Sequence, residues 1–157
     1  MKKYLETVRN HCPLVHNITN YVTVNDVANI ILACGASPIM ADEPEEVQEI
    51  TTICQGLNIN IGTLHKSSIE SMFLAGKKAN ELGHPVLLDP VGAGASTLRT
   101  QTAVKLMQEV RFSVIRGNMS EIKVLSGGMG GARGVDACET DIVTEETLEE
   151  AVAVVKA

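Results

Sequence analysis

The feature that most constrains this chain is a repeated alternation of short apolar runs with segments whose apolar residues recur at helical spacing. Leu57-Asn58-Ile59-Asn60-Ile61 alternates with period two, as a strand does. Pro85-Val86-Leu87-Leu88-Asp89-Pro90 is a continuous apolar run between prolines, the pattern of a strand covered on both faces. Phe112-Ser113-Val114-Ile115 reads the same way, and Val15 to Ile18 and Pro38-Ile39-Met40 are weaker strand candidates. Between them lie helical segments. Thr23 with Asp26 forms a capping-box pattern ahead of Val24, Val27, Ala28 and Ile31 on one face. Asp42 and Pro44 read as a helix start, with Val47, Ile50 and Cys54 as the buried stripe. Ser67 with Glu70 opens another helix that turns Ile69, Met72, Phe73 and Gly76 inward and stops at Gly83. Ala103, Leu106, Met107 and Val110 make the next inner face. Thr144 caps a final helix, with Leu148, Ala151, Val152 and Val155 along one side.

Strands alternating with helices through short connections predict an α/β fold, a mostly parallel sheet with helices on both faces. The last helix carries an apolar face and runs to Ala157 with no strand after it. Residues 1–157 therefore read as a single α/β domain that is incomplete at its C-terminal end.

Composition narrows the function classes. Thirteen basic against nineteen acidic residues give a net charge of −6, which supplies no field for nucleic-acid phosphates. Aromatics are 3% with no Trp, too few for base stacking. No apolar run approaches the length of a membrane span, and the opening Met1-Lys2-Lys3-Tyr4 has no signal-like core. The four cysteines, at 12, 34, 54 and 138, form no C-x-x-C pair, and the reducing cytoplasm is their expected compartment. A cytoplasmic small-molecule enzyme or binding domain fits this balance.

Parallel α/β sheets bind ligands at the carboxyl ends of their strands. Asn17 and Asn20 follow the first apolar run, Met40 and Asp42 the second, and Gly62 and Thr63 the third. Asp89, Gly92 and Gly94 follow the fourth, and Arg116, Gly117, Asn118 and Glu121 the fifth. Carboxylates suit Mg²⁺, an arginine suits phosphate oxygens, and glycines let backbone amides approach a ligand. Each residue also has a plainer reading. Asp89-Pro90 serves equally as turn chemistry, Arg116 as a surface ion-pair partner, Glu121 as a first-turn helix charge and Met40 as core filling. The four histidines show no ligand spacing and read as structural or exposed. The stretch from Gly127 to Gly134, with five glycines in eight residues, lacks the spacing of a phosphate loop.

At these strand ends the sequence resembles the hydroxyethylthiazole kinase family. The resemblance is carried by Val15-His16-Asn17-Ile18-Thr19-Asn20-Tyr21-Val22-Thr23, running on through Asn25-Asp26-Val27-Ala28-Asn29, and by Gly35-Ala36-Ser37-Pro38-Ile39-Met40-Ala41. It continues in Asn60-Ile61-Gly62-Thr63-Leu64, Asp89-Pro90-Val91-Gly92-Ala93-Gly94-Ala95, Arg116-Gly117-Asn118-Met119-Ser120-Glu121-Ile122 and Arg133-Gly134-Val135-Asp136. It implies a ribokinase-like fold and ATP-dependent phosphorylation of 4-methyl-5-(2-hydroxyethyl)thiazole, a step of thiamine salvage. It further implies Mg²⁺ as cofactor, ATP as co-substrate and a homotrimer with the thiazole site between subunits. By position, Met40 and Gly62 correspond to the thiazole pocket, Arg116 to an ATP contact, and Asp89 and Glu121 to the acids near the metal and phosphates.

Family members are longer, and their C-terminal half holds a Gly-rich turn ending in a catalytic Cys or Asp. No such turn occurs in these residues, so the resemblance assigns no catalytic residue here, and negligible turnover is expected of this chain. The competing expectation is a non-catalytic thiazole-binding or oligomerisation fragment, or a truncated product.

Overall fold

The structure, a computed structural model, describes residues 2–127. The predicted helix after Thr144, the Gly-rich stretch beyond Gly127, the Arg133–Asp136 block and Cys138 lie outside the described residues. The elements run α1 (Lys2–His11), β1 (Leu14–Ile18), α2 (Val24–Cys34), β2 (Ser37–Met40), α3 (Val47–Ile53) and β3 (Gly56–Asn60). They continue with α4 (Lys66–Leu82), β4 (Val86–Asp89), α5 (Thr97–Glu109), β5 (Val114–Ile115) and α6 (Met119–Leu125). All five predicted strands form, and every pairing among them is parallel.

The strand order is β2-β1-β3-β4-β5. The chain first steps outward from β1 to β2, then crosses back over β1 to β3 and continues in that direction. Right-handed crossovers then place α2 on one face of the sheet and α3, α4 and α5 on the other. The reversal lies between β1 and β3, and that is where an open parallel sheet leaves a crevice at its strand ends.

The two faces differ in what they bury. Leu57 and Ile59 of β3 and Val86 and Leu88 of β4 pack into one cluster with Met72, Ala75 and Ala79 of α4 and Ala103 and Leu106 of α5. Removing Leu106, which has no exposed surface, to alanine costs about 2–5 kcal/mol of stability. On the alternate residues of the same strands the chain places Asn17 opposite Asn58 and Asn60 opposite Asp89. No residue of α2 is fully buried, although Val24, Val27, Ala28 and Ile31, the face read from the periodicity, are half-buried together with Cys34.

At α2 the N-cap is Thr23, as the sequence predicts, although its side chain makes no cap bond. Two other helix starts differ from the sequence reading, each for a hydrogen-bonding reason. Asp42 caps nothing, because its carboxylate accepts the Tyr21 hydroxyl and its carbonyl accepts Ser71 Oγ at 2.6 Å, and α3 begins only at Val47. The N-cap of α4 is His65, whose N–H donates to Ser68 Oγ at 2.9 Å, so the helix starts before Ser67.

Candidate functional site

The carboxyl ends of the five strands share one rim of the sheet. One cleft of about 500 Å³ lies over residues 94–101 at the start of α5, and two others hold Asp89, Arg116, Glu121 or Met40. The larger of these two, of about 430 Å³, is lined by Asp89, Val91, Arg116, Gly117, Asn118 and Glu121. The smaller, of about 130 Å³, is lined by Asn17, Thr19, Tyr21, Val24, Met40, Ala41 and Asp42. The sequence-derived residues therefore divide. Asp89, Arg116 and Glu121 come together in one cleft, Met40 lies in the other, and Gly62 lines neither.

The Asp89 cleft is built from the ends of β4 and β5. Asp89 closes β4 and is 8% exposed. Its Oδ2 accepts Asn60 Nδ2 at 3.1 Å and Arg116 Nη1 at 2.6 Å. Burial pushes the Asp89 carboxyl above its usual range, and the nearby Glu121 charge pushes the same way against the pull of Arg116. Arg116 follows β5 with its side chain 74% exposed, so the guanidinium remains open to solvent beyond its ion pair. The plain reading of Arg116 as an ion-pair partner is what the structure shows, and the exposed face of its guanidinium leaves room for an anion.

Glu121 also serves two purposes. Asn118 caps α6 by accepting the Glu121 N–H at 2.9 Å, and Glu121 Oε2 accepts the Asn118 N–H at 2.9 Å. This is a reciprocal capping box, the local reason α6 starts where it does. The other oxygen, Oε1, accepts the Gly92 N–H at 2.8 Å and ties α6 to the loop after Asp89.

The described residues hold no group of three or more His, Cys, Asp or Glu able to enclose a metal. Mg²⁺ does not need one, because it binds through one or two carboxylates together with phosphate oxygens and water. Asp89 and Glu121 share one cleft, and a buried carboxyl held above its usual range is stabilised by an added cation. The donor set is chemically compatible with a hard cation such as Mg²⁺ that keeps part of its water.

The smaller cleft hangs from three anchors on the loop after β2. His16, with no exposed surface, brings Nε2 to 2.8 Å from the Ala41 carbonyl and Nδ1 to 2.9 Å from Thr51 Oγ1. A carbonyl only accepts, so Nε2 carries a ring proton, while the single Thr51 hydroxyl proton is shared between Nδ1 and the Val47 carbonyl, which lies 2.7 Å from Oγ1. Burial lowers the His16 pKa from 6.5, and a ring with no exposed surface and two bonded nitrogens fits the structural reading of this histidine. Ser71 and Tyr21 hold Asp42 as described above. Tyr21 also stacks on His65 with ring centroids 5.5 Å apart, while Met40 is 37% exposed on the cleft wall.

Gly62 sits at the topological crevice between β1 and β3, and its surroundings explain the residue type. A Cβ there would lie 2.5 Å from Asn20 Nδ2 and 2.9 Å from Asn60 Oδ1. Asn20 is held in place because its Oδ1 accepts the Val22 N–H at 2.8 Å, turning the chain into α2. Both halves of the Gly62 backbone are bonded: its N–H donates to Asn60 Oδ1 at 2.8 Å, and its carbonyl accepts Arg99 Nη2 at 2.7 Å. Sequence reasoning missed both Asn60 and Arg99. Asn60 was legible as a polar residue at the very end of a strand, whereas Arg99 lies a turn into α5 and carries no local signal.

Comparison with known proteins follows this geometry closely. Residues 5–156 match the Hydroxyethylthiazole kinase family. The chain is 67% identical over 149 residues to a hydroxyethylthiazole kinase of Clostridium acetobutylicum, covering 95% of this chain and 55% of that protein. It is 58% identical to a hydroxyethylthiazole kinase of Desulfovibrio desulfuricans, covering 95% of this chain and 52% of that protein. The structure of a hydroxyethylthiazole kinase protein from Pyrococcus horikoshii OT3 superposes with a TM-score of 0.83 at 40% identity, covering 99% of this chain and 58% of that one. The chain thus spans about half the length of the curated relatives it matches.

Proposed function

The chain belongs to the hydroxyethylthiazole kinase family, and from that premise we propose that it carries the thiazole-, ATP- and Mg²⁺-facing residues of an ATP-dependent alcohol kinase acting in thiamine salvage. The reaction moves the γ-phosphoryl group of ATP to the primary alcohol of 4-methyl-5-(2-hydroxyethyl)thiazole. A bond forms from the alcohol oxygen to phosphorus, the bond to the β-phosphate oxygen breaks, and the alcohol proton is released with ADP. Such a transfer needs in-line positioning and charge neutralisation more than covalent help from the protein.

The observation that carries this reading is the meeting of Asp89, Arg116 and Glu121 in one cleft, on the rim that also bears Met40. Arg116 contacts ATP through its solvent-facing guanidinium. Asp89 and Glu121 hold Mg²⁺, which when bound neutralises phosphate charge. Met40 offers the thiazole ring a polarizable thioether. Gly62, whose backbone polar groups are both engaged by Asn60 and Arg99, contributes the close approach that lets Asn20 and Asn60 fill the space a side chain would take. These residues bind and orient, and none of them is assigned proton transfer.

A second reading, a non-catalytic thiazole-binding or oligomerising module, draws on the smaller cleft. Its volume of about 130 Å³ falls below the ~300 Å³ at which ligand pockets begin. Val22, 81% exposed, lies on the turn leading from Asn20 into α2, which also exposes Ile30 and Leu32. A second copy of the chain completing the pocket, as in a homotrimer, fits that arrangement.

Among the described residues no helix is long and apolar enough to cross a membrane. The net charge of −6 supplies no field for nucleic-acid phosphates, and the reading remains an enzyme of small molecules with the cytoplasm as its expected compartment. The deciding experiment pairs calorimetry with an ADP-release assay, using hydroxyethylthiazole and Mg·ATP. Binding of both ligands supports the kinase reading, with or without ADP release. Binding of thiazole but not of Mg·ATP, together with a trimer in sedimentation, supports the module instead. A chain that binds neither ligand refutes both.

A further inference from the structure

One cation on the rim is used by none of the roles above. Arg99, a turn into α5, reaches across to the strand ends: its Nη2 donates to the Gly62 carbonyl at 2.7 Å and its Nη1 to the Val91 carbonyl at 3.2 Å. No carboxylate pairs with it among the described residues. A guanidinium held half-buried by two backbone carbonyls, with no opposite charge, is doing something other than ion pairing.

Its approach is written into the neighbouring backbone. Gly92 has φ +72°, and a Cβ there would overlap Arg99 Nη1. The loop after β4 thus needs glycine for its left-handed turn, and that glycine leaves the space through which this side chain passes. Arg99 is also the second of two straps between the same two segments. Asn60 links the Gly62 N–H to Asp89 Oδ2, at 2.8 Å and 3.1 Å. Arg99 links the Gly62 carbonyl to the Val91 carbonyl two residues further on. The Gly62 peptide is therefore tied at both polar groups to the segment that begins with Asp89. That segment is tied in turn to Glu121 through Gly92.

We propose that Arg99 is a positioning residue that locks the Gly62 end of β3 to the Asp89–Gly92 loop and so fixes the thiazole side of the site against the Mg·ATP side. The inference rests on the proposed kinase reading, which places one ligand near each segment. With the lock in place, a ligand that orders one segment orders the other, and the two ligands favour each other's binding. Losing the lock leaves each ligand its own contacts and removes the mutual effect.

The test is calorimetric titration of Mg²⁺ with a non-hydrolysable ATP analogue, with and without hydroxyethylthiazole, on wild type, Arg99→Met and Arg99→Lys. Wild type is expected to bind the analogue about 5-fold or more tightly when thiazole is present, the lower end of ordinary coupling between sites. Arg99→Met is expected to keep each separate affinity within about 3-fold and to lose the coupling. Arg99→Lys is expected to fail as a rescue, since a single ammonium lacks the forked donors that reach both carbonyls, and it also carries the test if the Met variant does not fold. Coupling that survives in Arg99→Met, is restored by Arg99→Lys or is missing from wild type overturns the proposal while leaving the kinase reading intact. A wild-type chain that binds neither ligand overturns both.

Discussion

Glu121 offers the sharpest check on how the rim is held together. Its two carboxylate oxygens accept the Gly92 N–H at 2.8 Å and the Asn118 N–H at 2.9 Å, and the residue is 4% exposed. A hydrogen bond to a charged acceptor contributes about 1.5–3 kcal/mol. Glu121→Ala removes both bonds and strands two amides, a loss of roughly 3–6 kcal/mol. Glu121→Gln keeps the shape but presents one oxygen and one amino group, so one of the two amides must face another donor. The glutamine variant is therefore expected to lose roughly 2 kcal/mol, less than the alanine variant but far from neutral. In a domain of this size that corresponds to about 4–8 °C in Tm. Urea unfolding followed by far-ultraviolet circular dichroism reads it directly, and suits a chain without Trp. If Glu121→Gln matched wild type within about 0.5 kcal/mol and Glu121→Ala cost under about 1, the carboxylate would not be the clasp between α6 and the Asp89 loop. The comparison also guards the metal assignment. Weakened Mg·ATP use in Glu121→Ala reports ligation only if Glu121→Gln, with the loop largely kept, shows it too.

Asp89→Asn is expected to leave Tm unchanged or raised at neutral pH, because burial and the Glu121 charge already oppose ionisation of this carboxyl, while Mg·ATP affinity falls. A variant with lowered Tm and intact Mg·ATP binding would contradict that assignment. Met40→Ala is expected to weaken thiazole binding about 10-fold or more, with Tm within about 2 °C of wild type because the side chain is partly exposed. Calorimetry showing unchanged thiazole affinity would remove Met40 from the pocket. His16 gives a pH signature of definite sign. Its pKa is lowered from 6.5 by burial, so the unfolded chain binds the extra proton first, and stability is lost as pH falls through 6.5 toward the folded value. The urea midpoint of wild type should drop between pH 7.5 and pH 5 by more than that of His16→Asn, and equal drops would refute the role of His16.

The strands were legible because their apolar runs are bounded by Pro, Gly or Asn and need no distant partner to be recognised. Only β5 came out shorter than read. Phe112 and Ser113 lie before Val114–Ile115, and Ser113 meets Val86 alone, its N–H donating to the Val86 carbonyl at 2.8 Å and its Oγ accepting the Val86 N–H at 3.4 Å. Helix faces were legible for the same local reason, as Ala103, Leu106 and Val110 show by being buried together. Helix starts were not, because Asp42 is a capping residue by type that Tyr21 and Ser71 claim for the tertiary structure. In the site, Asp89, Arg116 and Glu121 follow strand ends directly and could be listed by counting along the chain. Arg99 could not, since its meaning depends on the missing Cβ of Gly92 and on carbonyls 8 and 37 residues away.

The uneven burial of the two sheet faces bears on how the protein breathes. The fully buried apolar side chains of α4 and α5 resist opening, whereas α2 has no fully buried residue, and its Val24 walls the cleft of Met40. Local opening follows the fewest buried contacts, so amide protons of α2 should exchange with solvent well before those of β3 and β4. The two halves of the rim then sit on ground of different firmness. The Asp89 side is anchored to the slowest-exchanging part of the molecule, and the Met40 side is able to open and reclose without disturbing it.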